Sequence, residues 1–364
     1  MDIQLKADDP QWKQLADVIN AFIRTEVLTA ACQLGLFDYL AAIESAAEAE
    51  IAKHFDLDLQ AARILLMGCK QAGLVSEPAR SRFAVTPVSA RFLTARSAES
   101  MLKFVGFVRN VQQKACHTLL ESLQQKEPVG LRELGALPGQ TLYDINSSLG
   151  RAELDFHAAM SEYSRIVALP PMPELTQHRH VLDVGGGEGL VADRLCGEHT
   201  HLACTVSELP SMSARITEKV VKGEISDRVW AVGGDVFRDP WPTGIDAIVF
   251  SHFVEIFDPE AIQFLYRRAF EHLPAGGRVF IWTLTAPTEG EISLQAVKSS
   301  VYFLTTASGR GMTYAPEDHR YWLEAAGLTV ERIDTYESTS HSLIVAVKRS
   351  ASTGIADGAE STGG

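Results

Sequence analysis

The chain has 364 residues, of which 46% are hydrophobic, and a net charge of −13, with an isoelectric point near 5.3 and a mean hydropathy of +0.01. That length allows two domains with a sizeable core, and the acidic balance excludes a general binder of nucleic acid or of anionic membrane surfaces. Five cysteines, Cys32, Cys69, Cys116, Cys196 and Cys204, form no C-x-x-C pair and are odd in number, so they read as small core residues in a reducing compartment.

The first residues, MDIQLKADDPQWK, lack the basic start and apolar run of a secretory signal. No apolar run approaches the roughly 18 residues of a membrane span, so a cytoplasmic protein is expected. Residues 12–43 place Leu15, Val18, Ile19, Phe22, Ile23, Val27 and Leu28 at helical spacing. The stripe is wide for one core face and serves a subunit interface or the domain core equally well. The stretch AEIAKHFDLDLQAARILLMGCKQAGLVSE predicts a short helix, a turn and a longer helix that stops at Gly73. A strand pair with Phe83 and Val85 follows before Thr86-Pro87, completing a winged-helix unit. Its second helix offers only Arg63 and Lys70 as cations, which favours a structural role over DNA binding. Residues 98–168 read as several helices whose aromatic positions are mostly core; Phe107, Phe156 and Met160 are candidates for a substrate chamber.

From His180 onward strands and helices alternate in the doubly wound manner. Strands are expected near 180–184, 201–206, 229–232, 246–251 and 278–284, with helices near 189–197, 210–222, 259–273, 294–307 and 316–326. Two last strands, 329–337 and 342–348, lie too close for a helical crossover and should pair antiparallel. The tail SASTGIADGAESTGG is small, polar and glycine-rich, and disorder is expected there.

The segment VLDVGGGEG carries the densest signal. A buried strand runs into a glycine turn that opens a helix, with Asp183 inside the strand and glycines at 185, 187 and 189. A dinucleotide fingerprint requires glycine at the sixth position, which here is Leu190, so the pattern suits S-adenosylmethionine better. Ligands of open parallel sheets lie at the carboxyl ends of the strands. The second strand ends in Ser207-Glu208-Leu209-Pro210, placing Glu208 for ribose hydroxyls; the third ends in Gly233-Gly234-Asp235-Val236-Phe237. Asp235 can accept from an adenine amino group or form a turn, and Val236 or Phe237 can pack on the ring. The fourth ends in Ser251-His252, near the expected sulfonium.

The segments LTAACQLGLFDYL, RILLMGCKQAGLV, RFAVTPVSARFL, VLDVGGGEG, SELP, GGDVFRDPWP and LPAGGRVFI occur in that order. Together they make the ordered chain resemble the plant-type and bacterial small-molecule O-methyltransferases. The resemblance implies an α/β class I methyltransferase fold, a Rossmann-like doubly wound sheet with its last strand antiparallel. It implies a winged-helix dimerisation domain over 1–100, chamber helices over 101–170, a cofactor domain over 171–349 and a tail over 350–364. It also implies S-adenosylmethionine as cofactor, an interlocked homodimer, no nucleic-acid or membrane partner, and cofactor roles for the glycine turn, Glu208 with Leu209, and Asp235-Val236-Phe237.

The departures bear on mechanism. The family usually carries L-H-D-W after the fourth strand, the histidine deprotonating the substrate hydroxyl; the corresponding residues are Val254-Glu255-Ile256-Phe257. Two carboxylates that usually support the histidine correspond to Thr283 and Gly311. A phenol neutral near pH 7 requires a base, and a glutamate serves only if burial raises its pKa. Glu255 and the nearby His252 are therefore the catalytic candidates, one taking a proton or both orienting the acceptor. The alternatives are a packing histidine and a helix N-terminal carboxylate. No H-x-x-x-H or similar spacing supports a metal, and none is expected. In the segment 293–311, Gln295, Lys298, Tyr302 and Thr306 recur at helical spacing as substrate-binding candidates. Lys298 or Arg310 can anchor an acidic substrate group, or both can be solvated surface cations.

The expected function is methyl transfer to a small specialised metabolite, the acceptor being carbon, nitrogen or an acidic hydroxyl. Two rivals remain at this point. One is a relative that keeps the cofactor pocket but catalyses a pericyclic, hydroxylating or decarboxylating step; the other is a non-catalytic regulatory dimer.

Overall fold

Runs such as AIVFS at 247–251 and RVFIWTL at 278–284 are apolar at nearly every position, the signature of strands buried on both faces. In the computed structural model, which describes residues 9–146, 151–167, 169–287 and 289–350, they lie side by side in a central sheet. Apart from Ser350, the tail expected to be disordered lies outside the described residues. The chain divides into two units: Met1–His117 with Ser148–Ala168, and Thr118–Ser147 with Leu169–Gly364. Among the described residues no single helix is long and apolar enough to cross a membrane.

The N-terminal unit begins with the helix Pro10–Leu34, capped by the Asp9 side chain accepting from Gln11 N–H and closed by Gly35 in the left-handed region. Three short strands, β1 (Ala46–Ala47), β2 (Val75–Ala79) and β3 (Arg82–Val85), pair antiparallel in the order β1-β3-β2. The helices Glu48–His54 and Leu59–Gln71 lie between β1 and β2 in the chain. Helix Leu59–Gln71 lies tight on the first helix, because a Cβ at Gly68 would stand 2.7 Å from a Val27 methyl. The predicted apolar stripe divides in two. Val27 and Leu28 pack on a core containing Leu36, Phe37, Leu40, Ile51, Leu66 and Phe83, whereas Trp12, Leu15, Val18, Ile19, Phe22 and Ile23 are 45% to 71% exposed.

The C-terminal unit holds β4 (His180–Val184), β5 (Ala203–Glu208), β6 (Val229–Gly233), β7 (Ala247–Ser251), β8 (Arg278–Leu284), β9 (Thr329–Tyr336) and β10 (His341–Val347). Their order is β6-β5-β4-β7-β8-β10-β9. Strands β4 to β8 are parallel, and β10 runs antiparallel to both β8 and β9. The expected helix over 294–307 is α-helical only from Leu294 to Tyr302 and continues as a π-helical turn, Phe303–Ala307. Thr305 bonds back to the Val301 carbonyl, and the Ser308 and Gly309 N–H groups both go to the Phe303 carbonyl, which widens the last turn.

Arg228, at the entry to β6, donates to the carbonyls of Cys196, His199 and Leu202. It thereby satisfies the carboxyl end of helix Leu190–Glu198, where carbonyls otherwise lack partners. Arg228→Met should lower unfolding free energy by about 2 kcal/mol through loss of charged hydrogen bonds. A urea midpoint unchanged from that of the parent chain would refute this.

Candidate active site

Successive connections leave β4 toward β5 on one side and β7 toward β8 on the other, so the crevice of the sheet opens between the carboxyl ends of β4 and β7. Strand β4 delivers the glycine turn there. Gly185, Gly187 and Gly189 have φ of 68°, 56° and 79°, a region that side-chain-bearing residues rarely adopt. A Cβ at Gly185 would lie 2.1 Å from the Phe253 ring, and one at Gly186 would lie 2.3 Å from the Asp183 carboxylate. Gly189 caps helix Leu190–Glu198, whose first N–H groups face the crevice.

Two carboxylates flank this turn. Asp183 is fully buried beneath Gly186, and neither of its oxygens has a hydrogen-bond partner among the described residues. Burial, reinforced by the charge of Glu208 and opposed by the Ala192 amide, pushes its carboxyl up to about 7. Glu208, at the end of β5, accepts from Gly187 N–H at 3.2 Å and from Leu209 N–H at 2.6 Å; burial raises it as well. The Leu209 side chain beside it is exposed. At the end of β6, Asp235 forms a turn: Oδ1 accepts from Phe237 N–H at 2.9 Å, and Oδ2 lies 3.6 Å from Arg238. Val236 offers its carbonyl to Trp241, and the Phe237 ring meets Phe257 edge-on at 5.1 Å. Ser251 is half-buried at the end of β7. The donor set fits an adenosyl sulfonium: a glycine cradle with no room for side chains, a carboxylate with acceptor capacity left, and a buried acid whose oxygens are unsatisfied.

His252 follows β7 with φ of 51°, a conformation that costs a residue with a Cβ on the order of 1 kcal/mol. Its N–H donates to the Trp282 carbonyl at 2.8 Å. Its Nδ1 lies 3.3 Å from Glu255 Oε1, and Glu255 Oε2 accepts from the Thr283 hydroxyl at 2.8 Å. A carboxylate only accepts, so this bond requires the imidazole proton on Nδ1. Glu255 is 1% exposed and makes hydrogen bonds through both oxygens. Named with His252 as a candidate to take a proton or orient the acceptor, it stands against the imidazole of that histidine. A Cβ at Gly311 would stand 2.2 Å from the Glu255 carbonyl oxygen, so no carboxylate side chain fits at that position. Behind His252, the His341 ring approaches at 4.9 Å and stacks on Trp282 at 4.8 Å; burial lowers His341 to about 3, keeping it neutral.

On the Leu294–Tyr302 helix, Gln295 and Lys298 are half-buried and Tyr302 is buried; Thr306, on the following turn, is buried too. Burial lowers the Lys298 ammonium to about 8. Arg310, the alternative anchor, is exposed and pairs with Asp258 at 3.6 Å, so it is a surface cation. Tyr143 was not anticipated. It lies on the short helix Leu142–Asn146, and its hydroxyl bonds to Tyr302 within electrostatic reach of both Glu255 and Glu208. Burial and these neighbours hold its phenol well above the ordinary range. The only sequence signal there is the Thr141–Asp144 cap that starts its helix. Phe253, whose ring covers Gly185, was also missed. Within the N-terminal unit, Phe107 and Phe156 meet ring to ring at 5.5 Å, and Met160 follows one turn after Phe156 on helix Arg151–Ile166. No three His, Cys, Asp or Glu side chains gather as a metal site among the described residues.

Residues 117–329 match the O-methyltransferase domain and residues 16–95 the O-methyltransferase dimerisation domain. The chain belongs to the O-methyltransferase family. It is 30% identical over 328 residues to an L-tyrosine C(3)-methyltransferase of Streptomyces lavendulae, covering 89% of each chain. Among solved structures it is similar to the S-adenosylmethionine-dependent methyltransferase SibL, with 26% identity, a TM-score of 0.77, and coverage of 93% of this chain and 99% of that one. Human N-acetylserotonin methyltransferase in complex with S-adenosylmethionine shares the fold, with 21% identity, a TM-score of 0.82, and coverage of 94% and 99%. The protein is thus an S-adenosylmethionine-dependent methyltransferase of class I fold carrying a dimerisation domain.

Asp183 gives the methyltransferase a pH signature. Its folded value of about 7 lies above the ordinary 3.8, so the folded state binds the proton more tightly. That stabilisation is complete below about pH 4 and is lost as pH rises through about 7. Asp183→Asn removes the titration, so without cofactor the variant should gain on the parent between pH 4 and pH 8, by up to about 4 kcal/mol. A melting-temperature difference that stays flat across that range would show that Asp183 ionises as an ordinary carboxylate.

Proposed function

We propose that this methyltransferase of secondary metabolism modifies a small phenolic metabolite, with His252 taking the proton of the hydroxyl and the methyl group going to the adjacent ring carbon. The hydrogen-bonded chain His252–Glu255–Thr283 at the mouth of the crevice carries this reading. Asp183, Gly185, Gly187, Gly189, Glu208, Leu209, Asp235, Val236, Phe237 and Ser251 would hold S-adenosylmethionine. When bound, that cofactor supplies an electrophilic methyl group on a sulfonium.

An imidazole titrates where a phenolic proton can be taken near neutral pH. Glu255, fixed by Thr283, keeps the His252 proton on Nδ1, so Nε2 carries the lone pair that accepts the acceptor's proton. Losing that proton places electron density on the phenolic oxygen and on the ring carbons beside it. Which of these atoms receives the methyl group depends on which is held in line, a positioning effect. Transfer to carbon gives a dienone, which returns to the aromatic phenol as that carbon loses its proton and the oxygen regains one; the proton taken by His252 is released to solvent. The similar Streptomyces lavendulae protein is an L-tyrosine C(3)-methyltransferase, which supports carbon. Gln295, Lys298 and Tyr302 complete the acceptor site in this proposal. The exposed apolar face of helix Pro10–Leu34 would form a homodimer interface, in keeping with the dimerisation domain it belongs to.

Product analysis by NMR after incubation with S-adenosylmethionine and L-tyrosine or simple hydroxybenzoates should locate the new methyl on a ring carbon beside the hydroxyl. His252→Asn should lower kcat by roughly 100-fold or more, and Glu255→Gln by a smaller factor, both with cofactor affinity within twofold of the parent by calorimetry. Turnover that survives His252→Asn would remove the base from this account. Replacing both Ile19 and Phe22 with Glu should convert a dimer into monomers in light scattering; a dimer that persists would move the interface elsewhere.

A further inference from the structure

Between Pro10 and Arg24 every residue of the first helix except Ala16 is exposed, so this half of the helix stands clear of its own unit. Its apolar residues Trp12, Leu15, Ile19 and Phe22 alternate three and four apart, and the alternation continues through Glu26, Thr29 and Gln33. That spacing is the seam of a helix pair. Where the seam reaches the body of the unit it meets a mostly apolar cavity of about 140 Å³. Thr29, Cys32 and Gln33 form one wall; Leu102, Val105 and Arg109, from helix Leu102–Phe107 and its π-helical continuation Val108–Gln113, form the other. A cavity of this size holds a small aromatic ring. Arg109 is fixed beside it, donating to the Thr29 hydroxyl at 2.9 Å and lying 3.8 Å from Glu26. Glu26, the one charged residue on the seam, also accepts from Gln113 at 2.5 Å, which draws its carboxylate aside.

We propose that Trp12 of a second copy fills this cavity. The inference rests on the reading above that this helix face is a homodimer interface, and adds its register and its anchor. The chain's own Trp12 lies about 25 Å along the helix axis from Thr29 and cannot reach it. Two first helices that cross antiparallel, with the two-fold axis between Asn20 and Ala21, set Trp12 against the partner's Thr29, Leu15 against the partner's Glu26 and Ile19 against the partner's Phe22. The indole then enters between the cavity walls beside the Arg109 guanidinium, the pairing that a cation and an aromatic face favour most. A register one heptad shorter pairs Trp12 with Phe22 and Leu15 with Ile19, and leaves the cavity empty.

Light scattering on the full-length chain comes first: a monomer refutes the interface and this proposal together. Where the parent is a dimer, Trp12→Cys treated with a short bismaleimide should join position 12 of one subunit to Cys32 of the other. The product is read as a dimer band on a denaturing gel and as linked peptides by mass spectrometry, and adding Cys32→Ser should abolish it. In the parent dimer Cys32 should react with maleimide at least tenfold more slowly than in Trp12→Ala, and Trp12→Phe should keep most of that protection. If Trp12→Ala dissociates the dimer, the crosslink decides alone. Linkage of position 12 to any cysteine other than Cys32, a disulfide formed when Trp12→Cys and Phe22→Cys are combined, or equal labelling of Cys32 in parent and Trp12→Ala dimers would overturn the register and leave the dimer standing.

Discussion

Burying a carboxylate is costly unless its oxygens are hydrogen-bonded, and Glu255, with almost no exposed surface, has His252 on one side and Thr283 on the other. The bond to Thr283 joins the turn after β7 to β8, so the site inherits the rigidity of two adjacent central strands. The bond to His252 fixes the ring and its tautomer despite an unfavourable backbone conformation. Even the loop at Gly311 is shaped by this residue, since its backbone comes too close to the Glu255 carbonyl for any side chain.

The crevice gathers three acids, Asp183, Glu208 and Glu255, around a space framed by backbone glycines. Burial first, and then the charge of Glu208, raises the affinity of Asp183 for a proton. A cationic sulfonium relieves the same repulsion without a proton. Proton and cofactor therefore answer one electrostatic demand, and the acidity of the crevice favours a positively charged ligand over a neutral nucleoside.

The glycine turn, the strand ends and the helix order were legible in the sequence because each depends on local signals: positive-φ glycines, apolar runs and caps. What local signals cannot carry is which side chains meet. His252 and Glu255 were both visible as candidates, but not that they bond to each other while Thr283, on the neighbouring strand, takes the second carboxylate oxygen. Tyr143 was invisible because its place depends on segment 118–146 belonging to the C-terminal unit. Asp235 had two readings from sequence; the structure shows its turn-forming bonds, which satisfy one carboxylate oxygen within the backbone. The first helix posed a similar problem, since one periodic stripe supplies both a core contact at Val27 and Leu28 and an uncovered face at residues 12–23.

The family resemblance implies an imidazole where this chain has Glu255, with carboxylates where it has Thr283 and Gly311. Considered one position at a time, that pattern looks like loss of catalytic equipment. The hydrogen bonds show an exchange instead: the carboxylate stands at the imidazole's position, the imidazole stands three residues earlier, and a hydroxyl suffices where an acid stood because it now has only to donate to a carboxylate. An imidazole–carboxylate pair survives, with the ring entering from the end of β7 rather than from the following turn. Under the proposed function, the position of the His252 ring decides which acceptor atom it can deprotonate while another is held for the methyl group. An oxygen acceptor is deprotonated and methylated at the same atom; in a ring-carbon acceptor the two atoms lie two bonds apart. A base displaced to the end of β7 would suit the second geometry, which is how the arrangement at 252, 255 and 283 would bear on the atom methylated in the proposed reaction.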